Sequence, residues 1–253
     1  MIQPSSPPPR KSLAREAVEL LTTLAVGMVI AGSIHAVLFQ PFTIPSSSME
    51  PGLVTGDYVV TSKFPYGWSR ASLAFNPPLP GGRLFGRDPA RGDVVVFRLP
   101  RDPQQIWVKR VIGLPGDRVR VEGGVVFVND RALPQVALGE VADQDMPERR
   151  VMLARETLPN GRVHEIYDGG PGLPGDDTRT QVVPDGHYLM MGDNRDNSLD
   201  SRWPAATGVG LLPAENVVGR AELIVASWKP GASLFKPWTW LDLQPGRFLK
   251  WVR

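Results

Sequence analysis

The chain has 253 residues, 42% of them aliphatic or aromatic, enough to bury a sizeable core, and its formal net charge of +2 without a basic run argues against nucleic acid as a partner. Cysteine is absent, which excludes disulfides, thiolate metal sites and a cysteine nucleophile. His35, His164 and His187 are the only histidines, so a Ser-His-Asp triad has few candidates and acyl-transfer chemistry would need another base.

Met1 to Arg10 is rich in Pro and Ser and reads as the start of a disordered tail, residues 1–19. Leu20 to Phe39 is a 20-residue stretch without Asp, Glu, Lys or Arg, long enough to cross a bilayer as one helix. It is longer than the apolar region of a cleaved signal peptide, and Phe39-Gln40-Pro41-Phe42 is a poor cleavage context, so a retained anchor over residues 20–40 is expected. Arg10, Lys11 and Arg15 precede the span and the next basic residue is Lys63, which predicts a cytoplasmic N-terminus and an extracytoplasmic remainder.

Beyond the span, strands are predicted at Tyr58 to Lys63, Asp93 to Arg98, Ile106 to Gly113, Arg118 to Glu122, Val125 to Asn129, His187 to Met191 and Val217 to Trp228. Gly123-Gly124 and Asn160-Gly161 mark hairpins. Gly67 to Arg91 reads as an irregular excursion. Residues 134–180 carry nine acidic against five basic side chains and read as an inserted subdomain, dispensable for chemistry, between two parts of one β core, 41–133 and 181–230. The last segment, 231–253, follows Trp228. From Trp228 onward lie four of the seven tryptophans, with Lys229, Lys236, Arg247, Lys250 and Arg253 interleaved. Buried core and a membrane-facing surface both fit that pattern; interfacial anchoring is the expectation taken forward.

Three segments could carry chemistry. In Ile44-Pro45-Ser46-Ser47-Ser48-Met49-Glu50-Pro51 the serine run is either a linker turn or a nucleophile site. In Trp107-Val108-Lys109-Arg110-Val111 a strand would put Trp107, Lys109 and Val111 on one face. Lys109 would there be either a poorly solvated amine of lowered pKa or an ordinary edge lysine reaching water. Gly192-Asp193-Asn194-Arg195-Asp196-Asn197-Ser198-Leu199-Asp200-Ser201-Arg202 lacks the Gly and Glu of a calcium loop and otherwise reads as a self-satisfied polar loop.

In this order, with Gly56-Asp57-Tyr58-Val59-Val60 and Arg91-Gly92-Asp93-Val94-Val95-Val96-Phe97, these segments resemble the boxes of the bacterial type I signal peptidases. The resemblance implies a mostly β fold: a signal-peptidase-like β catalytic core with an inserted β subdomain, preceded by one transmembrane helix. It implies Ser48 as nucleophile, Lys109 as general base, Ser46 in the oxyanion hole, Ser198 orienting the lysine, and Asp200 with Arg202 bracing the loop. Ile44, Met49, Leu53 and Val108 fall where the family lines apolar pockets for small side chains. No cofactor or metal is implied. The partners would be signal peptides of secretory preproteins, cut at Ala-x-Ala sites, and the lipid bilayer, with action close to the export translocon at the bacterial inner membrane. Ser47, Glu50, Gly52, Trp107 and the run Trp203-Pro204-Ala205 depart from the usual pattern and touch loop shape and pocket detail. A catalytically idle binder of exported segments, or a self-cleaving Ser-Lys switch protein, are the rival readings; the second would need a DNA-binding N-terminus where this chain has an apolar span.

Overall fold

The computed structural model describes residues 12–73, 76–78, 80–143, 146–229, 231–232 and 236–252. Arg10, Lys11 and most of the expected tail lie outside the described residues, as do Phe235 and Arg253. Helix α1 spans Leu13–Val37, seven residues earlier than the apolar run begins, because Ser12 caps it by accepting from the Arg15 amide and Arg15 pairs with Glu19 one turn on. Its Leu13–Ile34 stretch has a mean hydropathy of 1.9 and none of its most apolar window is buried by the rest of the chain. At about 1.5 Å per residue such a helix matches the thickness of a bilayer core.

The rest is mostly β. In chain order the strands are β1 (Phe39–Thr43), β2 (Asp57–Ser62), β3 (Val94–Leu99), β4 (Asp102–Gly113), β5 (Arg118–Glu122), β6 (Val125–Val128), β7 (Arg131–Ala132) and β8 (Gln135–Ala142). They continue with β9 (Arg150–Thr157), β10 (Val163–Asp168), β11 (Gln181–Val182), β12 (His187–Met191), β13 (Leu211–Pro213), β14 (Val217–Ser227) and β15 (Lys250–Trp251). The main sheet runs β1-β2-β14-β3-β4-β12-β13, with β15 paired to β14. Phe39, expected inside the span, instead opens β1 opposite Ser62, and Pro41 is tolerated there because β1 is an edge strand.

The apolar run Val94-Val95-Val96-Phe97 is buried on both faces. Alternation sends Val94 and Val96 into a cluster with Ile44, Met49, Leu53, Val59 and Ile224. Val95, Phe97 and Leu99 enter a second cluster with Val111, Tyr188 and Met190. A third cluster, including Val119, Val121, Val126 and Leu189, joins the small sheet β11-β5-β6-β7 to the main one. Gly123 and Gly124, at φ 55° and 80°, make the tight turn between β5 and β6 that an L side chain would strain.

Residues 134–180 build a three-stranded antiparallel sheet, β10-β9-β8, whose β9–β10 loop contains Asn160-Gly161. That sheet also reaches the polar loop after β12. Tyr167 donates its amide to the Asp193 carbonyl and accepts from the Arg195 amide, both at 2.9 Å, and Glu156 and His164 are buried beside the same loop. The inserted sheet therefore packs directly against that loop.

Candidate active site

Ser48 sits in a single 3-10 turn, Ser47–Met49, entered from the extended residue Ser46. Lys109 projects from the middle of β4, opposite Val95, while Trp107 lies opposite Phe97. Lys109 Nζ lies 2.5 Å from Ser48 Oγ and 5.7 Å from the centre of the Trp107 ring. The lysine is 3% exposed. Burial lowers its pKa to about 8; Asp200 and Asp193 oppose that shift and Arg202 adds to it. Ser46 Oγ stands 3.5 Å from Ser48 Oγ, where either hydroxyl can donate.

The loop Gly192–Arg202 closes the site from the other side. The Asn194 amide donates to the Ser48 carbonyl at 3.2 Å, and Asn197 Nδ2 donates to Ser47 Oγ at 2.8 Å. A Cβ on Gly192 would come within 2.4 Å of the Ser48 carbonyl oxygen and 2.3 Å of Ser198 Oγ, so only glycine lets the loop approach this closely. Ser198 Oγ is buried without a hydrogen-bond partner among the described residues and makes no bond to Lys109. Arg202 Nε and Nη2 clamp the two oxygens of Asp200, each at 2.9 Å. Burial alone would raise the Asp200 carboxyl, but the Arg202 guanidinium and the Gly192 and Arg202 amides outweigh it and hold it below the usual carboxylate range.

A cleft of about 540 Å³ opens over Ser46, Ser48 and Lys109, walled by apolar groups including Phe42, Ile44, Val96, Ile106 and Val108. Ile44 and Val108 thus line it, as expected of pocket residues. Met49 and Leu53 do not. Both are at 0% exposure in the first core cluster, because the turn that presents Ser48 outward drives the next apolar side chains inward. Phe42, Val96 and Ile106 line the cleft without having been named as pocket residues, and so does Trp203, noted in the sequence only as a departure from the family pattern. The alternation of β3 and β4 was the available signal for Val96 and Ile106.

Two further ion pairs hold the loop. Arg110, next to Lys109 on β4, grips Asp193 through Nε and Nη2 at 2.8 and 2.6 Å. Arg195 grips Glu156 of β9 through Nη1 and Nη2 at 2.9 and 2.6 Å. All four side chains are buried. Glu156 carries no motif signal, and the loop's own three Asp and two Arg read as pairing among themselves, so nothing in the sequence pointed to a carboxylate outside it.

Comparison with known proteins gives one answer. The family model described as signal peptidase, peptidase S26, matches residues 17–228. A signal peptidase I of Rickettsia typhi (strain ATCC VR-144 / Wilmington) is 36% identical over 87% of this chain and 82% of its own length. That of Rickettsia canadensis (strain McKiel) is 37% identical over 82% of this chain and 79% of its own. A solved signal peptidase I from Enterococcus faecalis V583 is 25% identical and covers 53% of this chain and 97% of that one, but its TM-score of 0.31 adds nothing to the case.

Because Leu53 is core rather than cleft, Leu53→Ala should lower stability by about 2–5 kcal/mol in urea unfolding. At temperatures where the variant stays folded, its preference among peptide cut sites should match the wild type; a changed preference would return Leu53 to the cleft.

Proposed function

The chain belongs to the signal peptidase family, peptidase S26, and on that premise we propose that it removes signal peptides through a Ser48 acyl-enzyme with Lys109 as general base. The enzyme is a serine peptidase, and the signal peptides of preproteins are its substrates. The observation that carries the mechanism is the 2.5 Å approach of a buried lysine amine to Ser48 Oγ. A serine hydroxyl is a weak nucleophile until a nearby base takes its proton. At a pKa of about 8 a substantial share of Lys109 is neutral at working pH, whereas an exposed lysine would stay charged.

In the proposed sequence, Ser48 Oγ attacks the scissile carbonyl as its proton passes to Nζ. The Ser48 amide and the Ser46 hydroxyl donate to the oxyanion. Collapse breaks the C–N bond and Lys109 returns the proton to the departing amine. A water deprotonated by the same lysine then releases the signal peptide from Ser48. Ser198 Oγ, buried and unpartnered as it stands, is the hydroxyl assigned to orienting the amine. Shallow walls at Ile44 and Val108 favour small side chains, in keeping with Ala-x-Ala sites.

We further propose a single-pass protein of the bacterial inner membrane with its catalytic domain outside the cytoplasm, working near the export translocon. Arg15 before the span and the lack of a basic residue from there to Lys63 favour that orientation. Aromatic groups gather where the helix ends: Trp68 Nε1 donates to the Val37 carbonyl at 2.6 Å, Trp68 stacks edge-on with Phe85, and Phe39 with Phe64. Trp238, Trp240, Leu241, Phe248 and Trp251 are exposed. Polar residues tie their segment to the domain. Gln244 donates to the Thr55 carbonyl, and Arg247, rather than serving as a free interfacial cation, is paired with Asp57. Exposed tryptophans on a secured segment suit the headgroup region of a bilayer.

Ser48→Ala should abolish cleavage of a preprotein while leaving the melting temperature near the wild-type value. Ser46→Ala should slow it about a hundredfold by removing one oxyanion donor; an active Ser48→Ala enzyme would refute the assignment. The log of kcat/KM should rise with pH and level off above about 8, since the base works only when unprotonated. Lys109→Arg should be inactive across that range because guanidinium keeps its proton, and a flat profile from pH 6 to 10 would remove lysine as the base. With residues 1–37 removed, so that β1 is kept, the domain should still bind anionic liposomes. Changing Trp238, Trp240 and Trp251 together to Ser should weaken that binding at least tenfold with an unchanged circular dichroism spectrum.

A further inference from the structure

The three-stranded sheet contributes no residue to the cleft, yet it places one carboxylate against the loop that closes it. Glu156 on β9 is fully buried and receives both terminal nitrogens of Arg195, and its Oε2 also accepts from Gln135 Nε2 of β8 at 3.0 Å. His164 Nε2 of β10 lies 3.5 Å from Glu156 Oε1 and 3.9 Å from Asp193 Oδ1. Burial and the nearby Arg110 and Arg195 push its pKa far down, so the imidazole is neutral there and Glu156 is the group that balances Arg195.

The contacts of Arg195 run toward the reacting atoms. Its amide is fixed to the Tyr167 carbonyl, and its own carbonyl accepts from Arg202 Nη2, the guanidinium that clamps Asp200. The residue before it, Asn194, donates its amide to the Ser48 carbonyl, and Asn197 two residues on holds Ser47 Oγ. A shift of Arg195 would therefore be felt by Ser48 through Asn194 and its hydrogen bond, and by Asp200 through Arg202. Arg195 Nε is buried without a hydrogen bond among the described residues. A buried ion pair is in any case weak support for stability, since an apolar pair of similar volume often serves the fold as well; what it does supply is a fixed direction.

We propose that Glu156 is a positioning residue for the hydrolytic reaction, holding the Gly192–Arg202 loop against Ser48 and Lys109 through its bidentate pair with Arg195. The proposal rests on the Ser48–Lys109 reading above. It gives the inserted sheet a part in turnover rather than in substrate contact, so its loss should act on kcat and spare KM.

The test uses the full chain in detergent, a fluorogenic signal-peptide substrate, separate kcat and KM, and a thermal melt for each variant. Glu156→Gln should lower kcat at least tenfold with KM within twofold. That variant strands the Arg195 charge and can fail to fold, so the deciding variant is Glu156→Leu combined with Arg195→Met, which removes both charges. It should melt at or above the wild-type temperature and still show kcat reduced at least tenfold. Glu156→Asp, which keeps the charge and shortens the reach, should be folded and slow. A stable double variant, or a folded Glu156→Asp variant, with wild-type kcat overturns the proposal, as does a loss confined to KM. Ser48→Ala in the same assay separates the two ideas. If it is inert while the double variant is fully active, only the brace fails; if it cleaves, the underlying dyad reading fails instead.

Discussion

The rest of the site is organised around one unfavourable act, the burial of a lysine amine. Lys109 is 3% exposed, and an ammonium so far from water would cost several kcal/mol unless paired or deprotonated. Among the described residues no carboxylate makes a direct hydrogen bond to it; its near neighbour is a hydroxyl, that of Ser48. Asp200 and Asp193 are close enough to keep the pKa from falling further but are themselves engaged by Arg202 and Arg110. The amine is thus left at a pKa of about 8, between the ordinary ammonium and a permanently neutral base.

That compromise explains the density of arginine–carboxylate pairs around an otherwise apolar core. A loop of eleven residues from Gly192 to Arg202 holds four of the six partners, Asp193, Arg195, Asp200 and Arg202, and its three pairs are closed from different directions. Arg110 comes from the main sheet, Glu156 from the small three-stranded sheet, and Arg202 from the loop's own end. The charges are paired, and what reaches Nζ is the pull of Asp200 and Asp193 set against Arg202. The loop is also pinned at three points, which holds Gly192 so close to the Ser48 turn that a Cβ there would meet the Ser48 carbonyl oxygen at 2.4 Å. The geometry of Ser48 is in this sense a property of two sheets and the loop between them, not of its own 3-10 turn.

The architecture also orients the cleft. The helix α1 runs directly into β1 with one residue between them, and the cleft wall at Phe42 and Ile44 begins at the end of that strand. Under the proposed membrane orientation, a substrate whose cut site emerges at the bilayer surface meets Ser48 without any long excursion. Two of the strands that define the site, β3 and β4, are central in the main sheet, so the lysine stands on one of its least mobile elements.

Much of this was written locally. The apolar span, the two-residue turn at Gly123-Gly124, the β9–β10 turn at Asn160-Gly161 and the run Val94–Phe97 all announce themselves because turn chemistry and short-period alternation act over a few residues. The order of the serine, lysine and acidic-loop segments was equally visible. Period two also fixed that Lys109 shares a face with Trp107, but it could not say whether protein or water would cover that face. Nor could it say that Met49 and Leu53, read as pocket residues, point into the core, or that Phe39 leaves the helix for a sheet. The answer to Arg195 lies 39 residues away in Glu156, on a strand with no motif of its own. Such choices depend on which distant surfaces meet, and a contact made across sheets leaves no periodic trace in either segment; only the packed chain decides it.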